Sequence, residues 1–114
     1  MKYEIESCGK FTMLHIIGNI DTTESVKILD REIINGVENG SVHYVINLER
    51  TTFLDSGGIS FFIHSLCTVR DNQGSLFIIA VENQVKRTLD IVGITRLIQV
   101  YSTEEEFRLA QGVL

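Results

Sequence analysis

Apolar and polar side chains alternate in YEIES, and the run FTMLHIIG follows the turn-like CGK, so the chain is expected to open with a β-hairpin whose second strand stops at Gly18. Within DTTESVKILDREIINGVENG, Val26, Leu29, Ile33 and Val37 recur at helical spacing, and Asp21 with Glu24 three residues on has the form of a capping box. Gly40 is the expected stop. VHYVINL and SLFIIAV lack a polar face and are rich in β-branched residues, the pattern of strands inside a covered sheet. Val85, Leu89 and Val92 form another helical stripe, and Gly93 supplies its left-handed terminus. LIQVY reads as a short last strand, and STEEEFRLAQG as a helix opened by Ser102 and Glu105 in capping-box register. The predicted order is β-β-α-β-α-β-α-β-α. Residues 1–114 are expected to form one α/β domain with a mixed, mostly parallel sheet of about five strands, four of them mutually parallel, and about four helices covering one face.

Between VHYVINL and the next helix lies TTFLDSGGISFFIHSL, in which an acid, a serine and two glycines interrupt the apolar runs. This is a β-to-α loop, and open α/β sheets build their sites at that edge. Ser56 falls at or beside the helix N-cap, where a hydroxyl accepts an amide hydrogen of the first turn, so on its own it reads as a structural cap. Gly57 and Gly58 permit close backbone approach by another chain. Ile59, Phe62, Ile63, Leu66, Cys67 and Val69 are expected on the buried face and Phe61 on the opposite one. An outward Phe61 is either a contact surface beside Ser56 or a lone surface apolar residue.

Composition narrows the choices. Apolar residues make up 44% and charged residues 22%, a globular balance, and the net charge of −5 argues against a nonspecific grip on nucleic acid or anionic lipid. Apolar runs are far too short to span a bilayer and the N-terminus lacks a signal-peptide core, so a cytoplasmic location is expected. Cys8 and Cys67 lack C-x-x-C spacing and are expected as free thiols. DSGG is preceded by Leu54 and followed by Ile59, unlike the serine-protease string, and Leu54 also breaks the G-x-S-x-G elbow. His15, His43 and His64 fall on separate elements with no triad placement, no clustered metal-ligand spacing is present, and Gly57–Gly58 lack the lysine of a phosphate loop. No catalytic residue, metal or cofactor is expected.

VINLERTTFLDSGGISFF, at 45–62, resembles the signature of STAS-domain anti-sigma factor antagonists. GNID at 18–21 is similar to that family's G-x-x-D turn, and VKRTLDIVGITRLIQVYSTEEE at 85–106 to its V-x-x-x-[LF]-x-x-x-G-[LI] helix and terminal strand. The elements stand in order and span nearly the whole chain. The resemblance implies a STAS fold and a bacterial switch protein phosphorylated on the serine of a D-S-x-G motif, here Ser56. It further implies that the unphosphorylated protein binds an anti-sigma factor, itself an ATP-dependent serine kinase, and frees a sigma factor, and that a serine phosphatase resets it. Asp21, Asp55, Ser56, Gly57, Gly58 and Phe61 are then the expected partner-binding residues. The family often carries a second hydroxyl directly after the serine, where this chain has Gly57. Two other roles are open to the sequence: a STAS scaffold subunit of a stress-sensing or transporter complex, and a nucleotide-binding protein using the loop around Ser56.

Overall fold

The hairpin forms as the alternation predicts. In the computed structural model, which describes residues 1–113, β1 (Lys2–Cys8) pairs antiparallel with β2 (Phe11–Ile20), from Lys2 opposite Ile17 to Cys8 opposite Phe11. Gly9 turns the chain with φ of 58°, a left-handed value that suits glycine. After β2 come α1 (Thr23–Glu38), β3 (His43–Asn47), β4 (Thr51–Leu54), α2 (Ser56–Asp71), β5 (Ser75–Ile79), α3 (Gln84–Ile91), a 3-10 turn (Ile94–Arg96), β6 (Gln99–Tyr101) and α4 (Glu104–Gln111).

The sheet runs β1-β2-β3-β5-β6, and β2, β3, β5 and β6 are parallel to one another, as expected. Two features depart from the sequence reading. The second strand does not stop at Gly18: the register shifts between Gly18 and Asn19, and the stretch beyond pairs in parallel with β4. β4 is thus a sixth strand, and buried Thr51 fixes it by donating its hydroxyl to the Ile16 carbonyl at 2.8 Å. Its partner is set by a bulge in a strand far away in sequence, a non-local cause that TTFL itself does not display.

The second departure concerns the faces of the sheet. Leu14, Ile16, Tyr44, Ile46, Leu76 and Ile78 point to one side and pack with Leu29 and Ile33 of α1, Phe61 and Phe62 of α2 and Leu89 of α3. Their alternates Phe11, Met13, Val45 and Ile79 point to the other side, where α4 covers them with Phe107. The helices therefore do not cover one face only. The Phe107 ring lies 5.2 Å from Phe11, 5.9 Å from Phe77 and 5.7 Å from Tyr101 between centroids. Parallel strands with two apolar faces need cover on both, and α4 supplies the second cover with a single large aromatic residue.

Each helix begins on a side-chain cap, and three of the caps stand one residue from the expected position. Thr22 caps α1 rather than Asp21, accepting Ser25 N–H at 3.0 Å; Thr103 caps α4 rather than Ser102, accepting Glu106 N–H at 3.1 Å. Asn83 caps α3. The α2 cap, the third of these, is part of the site described next.

Candidate functional site

Asp55 closes the β4–α2 loop in an extended conformation, with its N–H donated to the Ile20 carbonyl at 3.2 Å. Its Oδ1 accepts the N–H groups of Gly57 at 2.8 Å and Gly58 at 3.3 Å, so the acid and not the serine is the N-cap. Ser56 is the first residue of α2; it is exposed, and its hydroxyl has no hydrogen-bond partner among the described residues. A serine expected as a cap is instead relieved of that duty by its neighbour.

The glycines serve the fold. A Cβ on Gly57 would stand 3.0 Å from Val26 Cγ2 of α1 and 3.2 Å from the capping oxygen of Asp55, which is why a larger residue is disfavoured there. A Cβ on buried Gly58 would stand 3.0 Å from Leu54 Cβ and 3.4 Å from Ile20 Cγ2. The close approach expected from another chain is made at Gly58 by the chain's own β2 and β4.

Phe61 corrects the sequence reading outright. It is 0% exposed, tilted against Phe62 at 5.4 Å between centroids, and belongs to the main core. The buried stripe of α2 is Gly58, Phe61, Phe62, Ser65, Leu66 and Val69, and Cys67 is exposed rather than buried. Pattern reading placed the stripe one residue away because Gly58 and Ser65 carry no hydrophobic signal, whereas Ile59 and Ile63 on the flank do. The exposed aromatic ring nearest Ser56 in the sequence is Phe53 of β4, 44% exposed, which the sequence pattern does not single out. Strand alternation across TTFL gives no signal for it, since Thr52 and Phe53 are both exposed between buried Thr51 and Leu54.

Asp21, Thr22, Thr23, Val26, Asp55, Ser56 and Gly57 line one cleft of about 280 Å³. Four of the six expected site residues, Asp21, Asp55, Ser56 and Gly57, thus come together, and Thr22 and Thr23 join them. α1 and α2 both begin here, so the positive ends of two helix dipoles face the Ser56 hydroxyl, countered by the carboxylates of Asp21 and Asp55. The Thr22 hydroxyl is committed to Ser25 as donor at 2.8 Å and as cap acceptor. Exposed Thr23 occupies the first position of α1, as Ser56 does in α2.

The histidines lie apart from this cleft. His15 Nε2 meets Glu6 Oε1 at 2.8 Å, His43 Nδ1 meets Ser75 Oγ at 2.8 Å and His64 Nδ1 stands 3.6 Å from Asp30. Ligand atoms of Glu6, His15 and Glu104 gather within 4.8 Å of one another, but the Arg108 guanidinium already bonds both carboxylates there, at 3.1 Å and 2.8 Å. Cys8 and Cys67 are free thiols.

The sequence profile of the STAS domain matches residues 2–107. The chain belongs to the STAS domain family. Among its relatives, the anti-sigma-B factor antagonist of Staphylococcus aureus (strain NCTC 8325 / PS 47) is 25% identical over 100 residues, covering 88% of this chain and 92% of the relative. The protein of the same description in Staphylococcus epidermidis is 26% identical over 90 residues, covering 79% and 82%. The STAS fold is also that of the anti-sigma factor antagonist SpoIIAA in its unphosphorylated form, with a TM-score of 0.75, 14% identity and coverage of 96% of both chains. An anti-sigma factor antagonist from Mycobacterium paratuberculosis superposes with a TM-score of 0.84 at 18% identity, covering 96% of this chain and 92% of that one. No helix among the described residues of this STAS domain is long and apolar enough to cross a membrane.

Proposed function

We propose that this STAS domain is an anti-sigma factor antagonist switched by phosphate on Ser56. Unphosphorylated, it docks through the cleft at the head of α1 and α2 onto an anti-sigma factor, itself an ATP-dependent serine kinase, and so frees a sigma factor in the cytoplasm. The kinase transfers the γ-phosphoryl group of ATP to Ser56 Oγ, ADP leaves, and the hydroxyl proton passes to a base on the kinase. A serine phosphatase hydrolyses the phosphoserine and restores the docking form. This chain supplies the acceptor hydroxyl and the surface; catalysis belongs to its partners.

The observation that carries the reading is the exposed, unengaged hydroxyl of Ser56, capped from behind by Asp55 and framed by Asp21, Thr22 and Thr23. A phosphate adds about −1.5 to −2 charges there. Two helix N-termini favour that charge by about 0.3–1 kcal/mol each, which offsets repulsion from Asp21 and Asp55 and leaves the fold intact. A docked partner fares differently. Its surface, complementary to a neutral hydroxyl, would have to desolvate a dianion beside two carboxylates. Exposed Phe53, two residues before Asp55 in the chain, offers an apolar contact in place of buried Phe61.

The test is mass spectrometry after incubation with ATP and the cognate anti-sigma factor kinase. A single phosphate on Ser56 is expected, with none incorporated by Ser56→Ala. Phosphate on another residue, or on none, overturns the switch. Ser56→Asp should weaken kinase binding about tenfold or more, as an uncompensated interfacial charge does, with an unchanged circular dichroism spectrum.

A further inference from the structure

From Ser56, α2 runs on packed against α1. Two turns along it lies a recess of about 130 Å³ lined by Asp30, Ile33, Ile34, His64, Ser65 and Thr68. On the helix axis this is roughly 12 Å from Ser56, at 1.5 Å per residue, well within one standard interface patch.

Ser65 is 2% exposed, and its Oγ is the one buried side-chain polar atom with no hydrogen-bond partner among the described residues. An unpaired buried hydroxyl opposes folding, and alanine would fit the same space without that cost. The Thr68 hydroxyl, in contrast, is engaged, donating to the His64 carbonyl at 2.9 Å. At the recess, Asp30 Oδ2 meets His64 Nδ1 at 3.6 Å, too long for a well-formed hydrogen bond, so the carboxylate retains acceptor capacity. Ile33 is buried, and Ile34 is an apolar wall open to solvent.

A carboxylate, an unpaired hydroxyl and an apolar wall in one recess match a donor-rich cation on an aliphatic stem. The head can donate to Asp30 and to Ser65 Oγ while the stem lies across Ile34. An acidic group would meet Asp30, and a purely apolar one would leave Ser65 unpaired. The volume is below the roughly 300–1,000 Å³ of small-molecule sites, which excludes a nucleotide and suits one side chain. We propose that this recess receives a single arginine or lysine side chain of the protein that docks at Ser56. The proposal rests on the switch reading for the partner, and the chain's net charge of −5 agrees with a basic visitor.

Two measurements test it. In the first, the ¹⁵N-labelled protein is titrated with N-acetyl-arginine methylamide, with the neutral N-acetyl-norleucine methylamide as control. Saturable amide shifts at Ile33, His64, Ser65 and Thr68 are expected with the arginine compound alone, weaker in Asp30→Asn and in Ser65→Ala and unchanged in Ser56→Asp. Shifts equal for the two compounds, or no saturable shift because water alone fills the recess, overturn the proposal. In the second, kinase affinity is measured for Asp30→Asn, expected to fall about tenfold as when one partner of an interfacial charge pair is removed. Binding lost in Ser56→Asp but retained in Asp30→Asn overturns the recess and leaves the switch standing. If the kinase binds no form of the protein, the switch fails and the arginine titration alone decides the recess.

Discussion

The carboxylate of Asp55 accepts both amide hydrogens at the head of α2, and this frees the next side chain from any structural task. A cap lost to alanine costs about 1 kcal/mol, within a range of about 0.5–2, whereas an exposed residue without partners changes stability by less than about 0.5 kcal/mol. Asp55→Ala is therefore expected to lower the urea midpoint clearly and Ser56→Ala hardly at all. The reverse ranking would make Ser56 the cap and return it to a structural role. The same reasoning gives Ser65 an opposite sign. Removing its unpaired hydroxyl as Ser65→Ala is expected to raise stability by about 1 kcal/mol, a thermal midpoint shift of about 4 °C for a domain of this size. A stabilised variant that also binds its partner less tightly would identify Ser65 as a residue held for docking at the expense of stability.

At the scale of elements, α2 carries the main lesson about what the chain displays. Its length, start and neighbours are legible, because Gly, Ser and Asp punctuate the loop and apolar residues recur through Leu66 and Val69. Its rotation is not: with apolar residues on the flank at Ile59 and Ile63 and polar or small ones in the stripe at Gly58 and Ser65, two orientations fit the pattern about equally. Packing on β2 and β4 decides between them, and only the inward Gly58 permits that approach. The caps show a milder form of the same ambiguity. DTT, DS and ST each place two or three capping residues side by side, and the backbone picks Thr22, Asp55 and Thr103. Ser56 is nonetheless singled out as the proposed phosphoacceptor, since a resemblance in motif does not depend on which neighbour caps. Phe61→Ala tests the rotation. As a core residue it is expected to cost about 3–5 kcal/mol, measured by denaturant unfolding. Phe53→Ala is expected to leave stability within about 0.5 kcal/mol, and a larger loss there than at Phe61 would restore the outward orientation of Phe61.

Taken as a whole molecule, the sheet separates two chemistries. The face under α1, α2 and α3 carries the Ser56 cleft and the α1–α2 recess, while the face under α4 carries the aromatic cluster of Phe11, Phe77, Tyr101 and Phe107. At the edge of that second face, Arg108 of α4 reaches Glu6 and Cys8 of β1, and buried Asn47 of β3 donates to Glu49 at 2.9 Å and approaches Glu104 at 3.5 Å. Burial pushes the Cys8 thiol above its ordinary range, so it stays protonated at neutral pH as a packing group. Glu6 is the acid-sensitive member of this network. The hydrogen bond from His15 first, and the Arg108 charge with it, holds its carboxyl below the ordinary 4.5. A folded-state value below the unfolded one means that the ionised form favours the fold: the contribution is whole above 4.5 and is lost as pH falls through that value to the depressed one. Because Glu6 is largely exposed, solvent screening holds this contribution below about 1 kcal/mol. The thermal midpoint of Glu6→Gln is thus expected a few degrees under that of the parent at neutral pH, with the two curves converging as the solution is acidified below 4.5. A separation that stays constant down that series would mean that Glu6 does not tie α4 to the hairpin through its charge, and that Phe107 and the other contacts of α4 hold the helix in place.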